Sequence, residues 1–151
     1  MSTNSKLTSR VTYLRIFNYT TEDTLAELEK HIRYGLVNPD DFIQAIIYYN
    51  ANKGLPSDAP EKLLNNTEYY PLRFISRDGS EELWLSCVTA GYHGEGPHGT
   101  VKAMELMGFK LTDAQKDVIF TRKIVNLIYT KWLSKRGCKN EILITIGIIR
   151  I

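Results

Sequence analysis

The sequence predicts an α+β fold in which a small, mostly antiparallel sheet packs against helices. Three observations predict it. Helix start and stop signals fill the N-terminal third. An Asp-Gly pair, Asp78-Gly79, separates two β-prone runs. The chain closes on a nearly unbroken apolar run, Asn140 to Ile151. A length of 151 residues suits a single domain spanning 1–151, with residues 1–9 as a polar, flexible tail.

Taken in order, Arg10 to Phe17 alternates loosely and is read as a strand. Thr20-Thr21-Glu22-Asp23 opens a helix, with a Thr cap followed by acids where the helix dipole favours them. Leu25, Leu28 and Ile32 form its apolar stripe and Gly35 ends it. Asn38-Pro39 repeats the start signal, and Phe42, Ala45, Ile46 and Tyr49 follow at helical spacing up to Gly54. Together the two segments predict a helical hairpin near the N-terminus. Asp58-Ala59-Pro60 starts a short third helix through Leu64.

The hairpin of the sheet is placed at about 69–88, from the aromatic run Tyr69 to Ile75, through the Asp78-Gly79 turn, to Leu83–Val88. A short helix from Thr100 to Met107 is closed by Gly108. Thr112 and Gln115 form a capping box that opens a long helix, 113–134, with Val118, Val125, Ile128 and Trp132 as its seam. The strand 140–151 is read as buried and central, because both of its faces are apolar.

Composition excludes several classes. Hydrophobic residues at 43% and charged residues at 24% suit a soluble globular chain, and a net charge of +2 speaks against nucleic acid as a partner. No apolar run approaches the ~20 residues of a membrane span, and the N-terminus lacks the apolar core of a signal peptide. Cys87 and Cys138 make no disulfide framework, which suits a reducing, cytoplasmic setting.

The chemistry points to one loop. Gly94, Gly96 and Gly99 satisfy G-x-G-x-x-G, and with Gly91 they place four glycines within nine residues between a strand-like and a helix-like run. Bare backbone N–H groups at a helix N-terminus suit a phosphate. A dinucleotide-binding unit is excluded by context, since the loop leads into two consecutive helices and is preceded by an antiparallel arm. What remains is a local anion-gripping turn. Its candidate ligand-binding residues are Gly91, Tyr92, His93, Gly94, Gly96, His98, Gly99 and Thr100, joined by Arg122 near the seam of the long helix. Tyr92 would stack on a ring, and His93 and His98 would donate to a phosphate or a substrate edge.

Other chemistry at the loop is weaker. His93 and His98 are five apart with Pro97 between them, which is not the i, i+4 spacing of a helical zinc site, so no metal and no cofactor is expected. Ser86, Cys87 and Thr89 lack a nucleophile-elbow context, and Cys87 reads as a small apolar residue within its strand. Glu95 has no second carboxylate to work with, and beside a phosphate it would be repelled, so it points away or contacts a sugar hydroxyl.

The leading reading is therefore a cytoplasmic protein that holds a phosphate-bearing small molecule, a nucleotide or cyclic nucleotide derivative, without turnover. The apolar C-terminal strand and the Tyr48-Tyr49 and Tyr69-Tyr70 pairs point to a homo-oligomer. Two alternatives stand beside it: an immunity- or inhibitor-type interaction module, and a small hydrolase or transferase using His93, Glu95 or His98.

Overall fold

The computed structural model describes residues 11–48, 69–123, 126–136 and 139–149. Within them the order of elements is β1 (Thr12–Ile16), α1 (Thr21–Arg33), β2 (Phe42–Ile47), β3 (Leu72–Ser76), β4 (Glu81–Leu85), α2 (Glu95–Leu106), α3 (Asp113–Thr121), β5 (Asn126–Arg136) and β6 (Lys139–Ile149). The strands form one mixed six-stranded sheet in the order β1-β4-β3-β2-β5-β6. β1 pairs parallel to β4, with Ile16 level with Leu85, and every other neighbouring pair is antiparallel. The α+β class holds, with six strands where the sequence predicts a small sheet.

The core lies between one face of this sheet and the helices. Ile16, Leu83, Leu85, Leu72, Phe74, Ala45, Ile47, Leu127 and Tyr129 line that face, and they meet Leu28 of α1, Ala103 and Met104 of α2, Met107 and Phe109 after it, and Ile119 of α3. Alternation assigns the neighbouring residues to the opposite face. There Trp84 and Tyr70 are buried with Tyr13 and Phe17 against them. The Arg73 guanidinium lies between the rings of Trp84 and Tyr48, 4.0 and 4.4 Å from their centroids.

Four expectations are corrected. The helical hairpin is absent. After α1, Pro39–Asp41 makes a 3₁₀ turn capped by the Asn38 side chain, and Phe42–Ile47 is strand β2. β2 lies inside the sheet between β3 and β5, so it is apolar on both faces, and its residues at spacing three and four imitate a helical stripe. The long helix 113–134 ends at Thr121, where Arg122 turns to extended backbone (φ −79, ψ 129), and β5 begins at Asn126. Of its expected seam, Val118 does pack on the core from the helix and Val125 lies outside the described residues, while Ile128 and Trp132 fall on the sheet face opposite the core residues Leu127 and Tyr129.

Among the described residues the C-terminal strand is an edge rather than a central strand. β6 has β5 on one side and no neighbour on the other among the described residues, and Ile142, Leu143 and Ile148 are exposed. Fourth, Cys87 does not lie within a strand. It follows β4 in the left-handed region at φ +64. The remainder of the second helix to Gly54, the short helix from Asp58 to Leu64 and the tail 1–9 lie outside the described residues.

Candidate functional site

β1 and β4 are adjacent and parallel, so their carboxyl ends open on the same side. Each chain then leads into a helix, β1 into α1 and β4 into α2. Both helix N-termini therefore face the space beyond the same two strand ends, a position where α/β sheets commonly bind ligands. A cleft of about 390 Å³ lies there, lined by Tyr19, Thr20, Thr21, Cys87, Thr89, Tyr92, Glu95 and Gly96.

Local hydrogen bonds hold its two walls together. Thr20 caps α1, its Oγ1 accepting from the Asp23 N–H at 3.1 Å. The Thr21 hydroxyl donates to the Cys87 carbonyl at 2.9 Å, and the Cys87 thiol to the Asn18 carbonyl at 3.2 Å. Ser86 bridges the strand ends, its Oγ accepting from the Asn18 N–H at 2.8 Å and donating to the Asn18 carbonyl at 3.0 Å. These bonds secure Cys87 in a conformation that side chains other than glycine rarely adopt.

α2 begins earlier than the sequence implied. Gly94 is its N-cap, so Glu95 to Thr100 belong to its first turns rather than to a loop. Gly94 offers no side chain to cap the helix, and the first N–H groups of a helix have no intrahelical partner. Tyr92 covers this terminus. Its hydroxyl shares a hydrogen bond of 2.9 Å with Thr89 Oγ1, and a Cβ on Gly94 would stand 2.7 Å from its ring. A Cβ on Gly96 would collide with Thr89 Oγ1 and come within 2.6 Å of the Tyr92 hydroxyl.

The candidate residues from the sequence divide accordingly. Tyr92 and Gly96 line the cleft, with Gly94 beside them as the cap. Gly91 needs its glycine for φ +96, and its N–H donates to the Ile119 carbonyl at 2.8 Å, toward α3. Gly99 lets α2 approach α1, because a Cβ there would collide with Thr21 Cγ2. The Thr100 hydroxyl is buried and donates to the carbonyls of Thr89 (2.6 Å) and Gly96 (3.2 Å). His93 stacks on Phe120 with centroids 5.1 Å apart, and His98 meets the same ring edge-on at 4.8 Å, so both imidazoles pack on α3 and neither lines the cleft. Arg122 is exposed at the C-cap of α3, and its carbonyl lies 3.1 Å from where a Gly91 Cβ would be.

Sequence reasoning missed Tyr19, Thr20, Thr21, Cys87, Thr89 and the cleft-facing place of Glu95. The available signal was the Thr20 helix start, which went unpaired with the glycine turn because the parallel pairing of β1 with β4 links residues almost seventy apart.

Glu95 is the one carboxylate among the lining residues, and no Lys or Arg lines the cleft among the described residues. Binding an anion would therefore fall to backbone N–H groups and to the hydroxyls of Thr20, Thr89 and Tyr92. No group of three or more metal-ligating side chains occurs among the described residues, and no helix there is long and apolar enough to cross a membrane. Comparison with protein-family models, curated proteins and solved structures finds no match.

Proposed function

We propose that the protein binds a phosphate-bearing small molecule, a nucleotide or cyclic nucleotide derivative, in the cleft between the N-termini of α1 and α2. One observation carries the reading: two helix N-termini converge on one cleft beyond the ends of two parallel strands. Its volume falls within the range of about 300–1,000 Å³ usual for small-ligand sites. Tyr19 and Tyr92, 89% and 50% exposed, stand at the cleft as surfaces on which a base could stack. Glu95 would repel a phosphate beside it and is better matched to a ribose hydroxyl. The reading is binding without turnover in a cytoplasmic protein, serving to sequester or sense the ligand. A homo-oligomer remains part of it.

The test is calorimetric titration with inorganic phosphate, AMP, ATP and cyclic AMP. At least one nucleotide should bind. Tyr92→Ala should weaken that nucleotide by about 10-fold more than it weakens inorganic phosphate, because the nucleotide also loses one stacked ring. Glu95→Gln should tighten inorganic phosphate several-fold by removing a like charge. No heat with any of the four probes, or nucleotide binding indifferent to Tyr92→Ala, would overturn the reading.

The interaction-module alternative has one specific support, the exposed apolar residues Trp132, Ile142, Leu143 and Ile148 of β5 and β6.

A further inference from the structure

We infer that β6 is the contact surface for a second copy of this chain, with two β6 strands pairing antiparallel about a twofold axis at Thr145. The inference does not depend on the cleft holding an anion.

Among the described residues β6 is an edge strand, eleven residues long, and its pairing with β5 runs without a bulge from Ile149 opposite Asn126 to Lys139 opposite Arg136. A strand edge presents unpaired backbone donors and acceptors. Proteins that remain monomeric protect such edges with charges, prolines, bulges or short length. Residues 142–148, Ile-Leu-Ile-Thr-Ile-Gly-Ile, contain none of these devices. The exposed apolar side chains sit on this ribbon: Ile142 at 41%, Leu143 at 47% and Ile148 at 48%, with Trp132 of β5 at 55%.

The order of residues selects the occupant. The isoleucines of 142–148 are palindromic about Thr145. Directly opposed residues of an antiparallel pair share a face. A twofold axis at Thr145 therefore sets Ile142 against Ile148 and Ile144 against Ile146 of the other copy, and Thr145 against itself. Ile144 and Ile146 already pack on their own core, so the pairs left to be completed are those of the exposed Ile142 and Ile148. On the opposite face the axis sets Leu143 against Gly147, a large residue against one with no side chain. Trp132 lies beside Leu143 in the ladder, and its indole N–H donates to Thr145 Oγ1 at 2.8 Å, which holds the ring over the ribbon next to the axis. A foreign strand would satisfy the backbone equally well but would have no reason to match this palindrome. A second copy matches it by symmetry.

Sedimentation equilibrium of the full chain should show a dimer at about 100 µM, a concentration at which micromolar association is complete. The double variant Ile142→Lys with Ile148→Lys places like charges opposite each other and should raise the dimer Kd at least about 10-fold. Ile142→Lys with Ile148→Glu places Lys opposite Glu at both symmetric positions and should restore association. A monomeric wild type, a dimer indifferent to the double-lysine change, or a Lys/Glu variant no tighter than the Lys/Lys variant overturns the inference. Far-UV circular dichroism verifies that the variants fold. Amide exchange of the wild type adds a readout without substitutions: protection of those amides of 143–147 whose N–H points away from β5 should rise with protein concentration, and unchanged protection of them across the dimerisation range also overturns it.

Discussion

Gly99 shows how a residue's role changes when its neighbour becomes visible. In sequence it completes a phosphate-binding fingerprint, whereas in the fold it is the point where α2 touches α1. Replacing Gly by Ala inside a helix normally gains about 1 kcal/mol. Here the added methyl would collide with Thr21 Cγ2 and press on Val88 Cγ1 at 3.3 Å. Overpacking of a fixed contact costs about 1–3 kcal/mol and outweighs the propensity gain. Gly99→Ala should therefore lower the midpoint of urea denaturation, and an unchanged or raised midpoint would show that the two helices separate freely.

Asp78 acts at the same scale. Its Oδ1 accepts from the Ser80 hydroxyl at 2.7 Å, the Ser80 N–H at 3.0 Å and the Ser76 hydroxyl at 3.0 Å. The Ser80 bonds first, with Ser76 adding, hold its carboxyl down at about 2, below the ordinary value of 3.8. A depressed acid contributes stability above its unfolded pKa and loses it as the pH falls through the folded one. Between pH 4 and pH 2 the wild type should therefore lose more stability than Asp78→Asn, which keeps an acceptor but does not titrate. Parallel loss in the two proteins, followed by denaturation midpoints, would remove Asp78 from the turn's energetics. This turn was legible in advance, because Asp78 and Gly79 act on their immediate neighbours and Gly79 takes the positive φ (+77) that suits glycine in a tight turn. The same is true of the caps. Thr20 and the reciprocal Thr112–Gln115 box sit where their spacing placed them.

At the scale of elements, Lys131 on β5 joins layers that sequence spacing could not connect. Its Nζ donates to the carbonyls of Met107, at the C-terminus of α2, and Pro39, at 2.6 and 3.1 Å, and lies 4.6 Å from the centre of the Phe109 ring. A cation at a helix C-terminus also complements the dipole. Burial lowers its pKa to about 8 from 10.5, with Asp40 opposing and Arg77 adding to the shift. Between pH 8 and 10.5 the unfolded chain then binds more protons than the folded one, so this group makes stability rise with pH across that window. The difference in stability between the wild type and Lys131→Met should move in the wild type's favour from pH 8 to 10. A flat difference would place the amine in water. In sequence Lys131 falls inside the expected long helix 113–134 and is assigned a helical position there. The assignment failed together with that helix, because β2 and β5 each pair on the sheet's interior and lose the alternation that marks a half-buried strand.

At the scale of the whole molecule, the cleft exists because β1 lies parallel to β4. That one pairing brings two helix starts, separated in the chain by β2, β3 and β4, to the same opening. The proposed dimer is a property of the opposite end of the same sheet, where β6 has no neighbour among the described residues. Local chemistry in the sequence determined the helix starts of α1 and α3, the Asp-Gly turn and the β character of the C-terminal run. These depend on interactions within a few residues, where spacing and residue type suffice. The tertiary structure alone decided which glycines serve packing and which border the cleft, that β2 and β5 are strands, that β6 is an edge among the described residues, and that Thr20, Thr21 and Cys87 share an opening with Tyr92, Glu95 and Gly96. Each of those outcomes depends on contacts between distant parts of the chain, and burial on both faces erases the periodicity by which such strands could have been recognised.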